Sequence, residues 1–99
     1  MKTYEAVFIL DERQFTDGGE AFAEDIVQRV EKSGGRVLRK DPMGRRQFAR
    51  PIRKQKAGIY WDFVMEMDPD QVAPLKEAFR LDESVFRAVV FLYEGPELD

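Results

Sequence analysis

Residues 59–67 alternate without a break: Ile59, Trp61, Phe63, Met65 and Met67 fall on one face of an extended chain, Tyr60, Asp62, Val64 and Glu66 on the other. A strand so patterned must bury its odd-numbered face against something, and the rest of the chain supplies the cover. Phe22, Ala23, Ile26, Val27 and Val30 recur at three- and four-residue intervals, the stripe of a helix, with Glu24, Asp25, Gln28, Arg29 and Glu31 opposite. Thr16 or Asp17 can cap its start, Glu20 having capping-box spacing from Asp17, and Ser33-Gly34-Gly35 closes it. Residues 4–10 form a first strand with Tyr4, Ala6, Phe8 and Leu10 inward.

The remaining segments complete the order. Residues 36–53 are extended but interrupted by Pro42, Gly44 and Pro51, which suits a long, bent edge strand, since proline cannot donate to a central ladder. Asp68-Pro69-Asp70-Gln71 starts a second helix with the aspartate as cap and Val72, Leu75, Ala78 and Phe79 as its buried stripe. Pro74 requires either a late start or an irregular first turn. Residues 85–93 are a last strand, with Phe86, Ala88, Val90 and Leu92 on one side and Arg87, Val89 and Phe91 on the other. The result is an α+β chain in βαββαβ order, a ferredoxin-like split βαβ: a four-stranded antiparallel sheet with two helices on one face. Right-handed crossovers give the strand order 4-1-3-2. Ninety-nine residues suffice for one such domain, over 1–94, with a short, frayed acidic tail at 95–99.

The net charge of −3 conceals its distribution. Between Arg36 and Lys56 stand nine basic residues against one acid, a local +8, while the rest of the chain holds seven against eighteen, or −11. Screening over about 8 Å lets a basic patch act independently of distant acids. Cysteine and histidine are absent, which removes Cys/His zinc sites, thiol nucleophiles and imidazole bases. No apolar run approaches the roughly 20 residues of a bilayer crossing, and the opening stretch turns acidic too soon for an export signal.

With both helices on one side, the other face carries Glu5, Val7, Ile9, Tyr60, Asp62, Val64, Glu66, Arg87, Val89 and Phe91. Its apolar members, Val7, Ile9, Tyr60, Val64, Val89 and Phe91, make a candidate protein-partner face. The RNA-recognition motif uses the same fold to stack bases on third-strand aromatics. Parity argues against that here, because Trp61 and Phe63 belong to the core face and only Tyr60 remains outside. Asp68 and Asp70 read as helix-start carboxylates rather than metal ligands, and neither glycine pair has phosphate-loop spacing.

The stretch Gly44-Arg45-Arg46-Gln47-Phe48-Ala49-Arg50-Pro51-Ile52-Arg53 is similar to the Gly-x-Arg-x-Leu-Ala-Tyr-x-Ile-Lys signature of ribosomal protein six of the bacterial small subunit. Tyr4-Glu5, Gly58, Met67 and the run from Leu81 to Arg87 extend the resemblance over nearly the whole chain. Phe48 stands where leucine is usual and Arg50 where tyrosine is usual. The resemblance implies a non-enzymatic, cofactor-free constituent of a bacterial cytoplasmic or organellar ribosome. It also implies two partners: the central domain of 16S ribosomal RNA and ribosomal protein eighteen. Arg45, Arg46 and Arg53 carry over from the signature as RNA-binding candidates; charge and position add Lys54, Lys56 and Arg87.

Two other readings compete. A small anionic-ligand-binding or regulatory domain of the same architecture would use the basic run to hold a metabolite. A carboxylate enzyme would need Asp62 paired with Glu66 or Glu5.

Overall fold

The computed structural model describes residues 1–96. Strands β1 (Lys2–Leu10), β2 (Arg36–Ile52), β3 (Gln55–Met67) and β4 (Val85–Leu92) form one antiparallel sheet in the order β2-β3-β1-β4. Helices α1 (Glu20–Lys32) and α2 (Val72–Glu77) cover one face. This is the ferredoxin-like α+β arrangement, with β2 and β4 as its edges. The expected tail at 95–99 lies outside the described residues from position 97 onward.

Strand parity places the core as expected. Tyr4, Ala6, Phe8 and Leu10 of β1 and the odd-numbered residues of β3 from Ile59 to Met67 pack against Phe22, Ala23, Ile26 and Val30 of α1 and Leu75 and Phe79 of the second helical segment. Phe8 is at the centre, its ring edge-on to Phe22, Phe63 and Phe79 at centroid distances of 5.2, 5.6 and 5.5 Å. Trp61 is buried, and its indole N–H donates to the Gly18 carbonyl at 2.9 Å, tying β3 to the loop before α1. Gly19 permits that approach: its φ is 94°, and a Cβ there would stand 2.4 Å from the Trp61 nitrogen. Asp17 caps α1 by accepting from the Gly19 and Ala21 amides, both at 2.9 Å, which holds its carboxyl below the ordinary aspartate range.

The second helical segment starts late, as Pro74 requires, and departs from expectation at its cap and its last turn. A 3₁₀ turn at Pro69–Gln71 precedes α2, so Pro74 sits in the first α-turn, where its missing N–H has no partner to lose. Asp68 occupies the cap position without a side-chain hydrogen bond, so the expected carboxylate cap does not form. Ala78, just beyond the end of α2, is exposed rather than part of the buried stripe, while Phe79 beside it is buried.

On β4, a register shift opposite Ile9 and Leu10 places both Val85 and Phe86 in buried positions. Val85 joins the core, whereas Phe86 turns toward Phe48 of β2, at a ring distance of 6.2 Å. A bulge of this kind adds one residue and inverts the parity on either side of it.

Candidate nucleic-acid interface

The long strand β2 is bent by three register shifts against β3, the last spanning Gln47 to Ile52. Beyond it the chain reverses through Arg53 and Lys54, whose φ values of 49° and 67° put both in the left-handed region. Asn-Gly is the ordinary occupant of such a turn. Non-glycine residues pay roughly 1–2 kcal/mol each for that conformation, so two cations are held at the hairpin tip against local preference. Lys54→Gly is therefore expected to raise the unfolding midpoint in urea, by about 1 kcal/mol of stability.

The basic run divides into two halves. Arg36, Arg39, Lys40 and Arg45 are paired with Glu66, Asp62, Glu24 and Glu12 at 2.5, 3.1, 3.4 and 2.5 Å. Among the described residues, no carboxylate lies within ion-pair distance of Arg46, Arg50, Arg53, Lys54 or Lys56. Arg45, at the variable position between Gly44 and Arg46, thus has a prior partner, although an exposed pair of this kind contributes only about 0–1 kcal/mol and exchanges readily. All six RNA-binding candidates are exposed.

Arg53 reaches back across the end of the sheet. Its guanidinium donates to the Glu83 carbonyl at 3.2 Å and lies 5.9 Å from the centre of the Phe86 ring. It lines one groove of about 390 Å³ with Arg87 of β4 and with Lys76 and Arg80 of the α2 segment. The structure therefore brings Arg53 and Arg87 together from opposite edges of the sheet and adds Lys76, which the linear charge run does not contain; Arg80 in the same groove is already paired with Glu77 at 2.7 Å. Their spacing was a usable signal: Lys76 and Arg80 are four apart and offset by one from the buried Leu75 and Phe79.

The open face is smaller than strand parity suggests. Val64 is 0% exposed and Ile9 9%, so neither presents a contact surface, which corrects two of the expected partner residues. Val64 lies on an interior strand between Glu5 and Arg39 in register. Ile9 is covered by Phe48, which packs over Gly58: a Cβ on that glycine would meet the Phe48 ring at 2.8 Å and Ile9 at 3.0 Å. Val7 and Tyr60 are half-buried, and Val89 and Phe91 remain exposed at 47% and 45%.

Across this face Glu5 holds its proton above the ordinary value of 4.5, chiefly through a hydrogen bond to Asp62, with burial and the Asp62 charge adding and Arg39 opposing. A carboxyl raised by folding stabilises the fold below its unfolded pKa and loses that contribution as pH rises through the folded one. Glu5→Gln keeps a donor and cannot ionise. Its thermal midpoint is expected to exceed that of the parent at pH 7, with the difference vanishing toward pH 4.

The sequence pattern of Ribosomal protein S6 matches residues 3–91. The chain belongs to the ribosomal protein S6 family. The small ribosomal subunit protein bS6 of Clostridium novyi (strain NT) is 33% identical over 97 residues, covering 98% of this chain and 99% of that protein. Its counterpart in Synechococcus sp. (strain RCC307) is 35% identical over 92 residues, 93% of this chain and 68% of that one. The bS6 of Prochlorococcus marinus (strain MIT 9211) is 33% identical over 93 residues, or 94% of this chain; the chain spans 54%, about half, of that relative's length. The crystal structure of 30S ribosomal protein S6 from Thermotoga maritima superposes with a TM-score of 0.86 at 24% identity, covering 93% of this chain and 87% of that one, which supports the fold. Membership of the S6 family makes the chain a structural, non-enzymatic constituent of the small ribosomal subunit. No helix among the described residues is long and apolar enough to cross a membrane.

Proposed function

We propose that this S6-family chain binds the central domain of 16S ribosomal RNA together with ribosomal protein eighteen, on ribosomes of the bacterial cytoplasm. The RNA contacts are made by Arg46, Arg53, Lys54, Lys56 and Arg87, with Arg45 joining once phosphate displaces Glu12. The observation that carries this reading is the set of cations without carboxylate partners that runs from the distal arm of β2 through the hairpin tip to the groove beside β4. Guanidinium and ammonium groups spaced in this way suit the phosphates of an irregular RNA junction, recognised by shape more than by base sequence. Protein eighteen occupies the open sheet face over Val7, Tyr60, Val89 and Phe91, where apolar side chains stand exposed or half-exposed.

With an overall charge of −3, the chain alone has little net attraction for a polyanion. Filter-binding titrations of central-domain RNA with this chain, with protein eighteen and with both test the proposal. Retention should be weak for this chain alone and should rise in the presence of both, falling steeply with added salt. Equal retention with and without this chain contradicts it.

A further inference from the structure

We propose that Asp62 and Glu5 form a socket on the open sheet face for an arginine or lysine side chain of a basic protein partner. The inference rests on the reading of that face as a protein-binding surface and names the group that fixes its specificity.

Asp62 is 6% exposed, on a strand with neighbours on both sides. Arg39 donates to its Oδ2 at 3.1 Å, but Oδ1 is buried and, while Glu5 is ionised, has no donor among the described residues. A buried carboxylate oxygen left in this state costs the full desolvation of that atom. The register increases the demand. Asp62 faces Asp41 directly across β2, while Glu5 lies diagonally across β1, opposite Val64. Three carboxylates therefore share the locality with one arginine. The other charged or titratable groups on this face are committed or removed from it: Arg36 holds Glu66, Tyr60 packs against Phe48, and Arg87 is opposite Ile9 near the far end of β1.

In the free chain the nearest donor is the Glu5 carboxyl in its protonated form, which the neighbouring Asp62 and burial favour by raising the Glu5 pKa. An incoming guanidinium or ammonium group satisfies Oδ1, offsets the surplus negative charge and displaces that proton. Val7, opposite Asp62 on β1, and Val89, opposite Val7 on β4, supply an apolar flank for the aliphatic stem of such a side chain. An RNA phosphate meets repulsion at the same place, which favours a protein occupant.

The test is calorimetric titration of the full chain with ribosomal protein eighteen, for the parent, Asp62→Asn, Glu5→Gln and Val89→Glu, in two buffers of different ionisation enthalpy near pH 5. The parent should bind with release of a proton, Glu5→Gln should bind without release, and Asp62→Asn should bind about tenfold or more weakly. Asp62→Asn conserves shape and removes a like-charge contact, so its fold is checked by its melt, and the proton count of Glu5→Gln reads the socket independently. Parent binding that is unchanged by Asp62→Asn and releases no proton overturns the socket while leaving the face reading intact. No parent binding overturns both. Asp62→Asn that weakens RNA retention but not protein eighteen assigns the site to RNA and overturns the proposal.

Discussion

Replacing Arg46, Arg53, Lys54 and Lys56 together with alanine is expected to lower the affinity of the complex for central-domain RNA about 100-fold at physiological salt and to reduce the slope of log K against log salt by about three. These four cations are exposed and have no carboxylate partner among the described residues, so each is available to replace a counterion on the phosphate backbone. The fold should survive, since exposed substitutions of this kind each change stability by roughly 0.5 kcal/mol or less. The control is Arg36, Arg39 and Lys40 changed to alanine. Those side chains already face Glu66, Asp62 and Glu24, and their loss should cost less than tenfold in RNA affinity. Equal losses in the two triple and quadruple variants would mean that total charge, not the hairpin end, governs binding.

Phe8→Ala should be the most damaging single change to the fold. The side chain is buried where β1, β3, α1 and the α2 segment meet, with three edge-to-face aromatic neighbours. Truncating a fully buried phenylalanine costs about 3–5 kcal/mol, against a total stability of roughly 5–15 kcal/mol for a domain of this size. The melting temperature should fall by about 15 °C or more, with loss of near-ultraviolet signal in the same transition. Val89→Ala, on the exposed face, should move it by only a degree or two.

Much of this architecture is legible in the residues themselves, for physical reasons that also mark where legibility stops. Side chains on a strand alternate, so the odd-numbered residues from Ile59 to Met67 announce the core face, and the spacing of Phe22, Ile26 and Val30 announces the helix above it. Prolines at 42 and 51 mark β2 as an edge. Alternation carries no record of an inserted residue, however, so the bulge that takes Phe86 out of the expected parity and the cover that Phe48 gives Ile9 are tertiary facts. The same holds for charge. A run of basic residues is visible in the sequence, but the pairing of Arg45 with Glu12, thirty-three positions away, depends on how strand edges meet the loops. Lys76 and Arg80 join Arg53 and Arg87 only because the second helical segment lies beside the start of β4.

The central claim, that the hairpin end grips the RNA backbone, is tested most directly by lysine acetylation of the assembled complex read by mass spectrometry. Lys54 and Lys56, with Lys76 in the adjoining groove, should be shielded when this chain, protein eighteen and central-domain RNA are combined, while Lys2 and Lys32 stay as reactive as in the free chain. Undiminished reactivity of Lys54 and Lys56 in that complex would contradict the account.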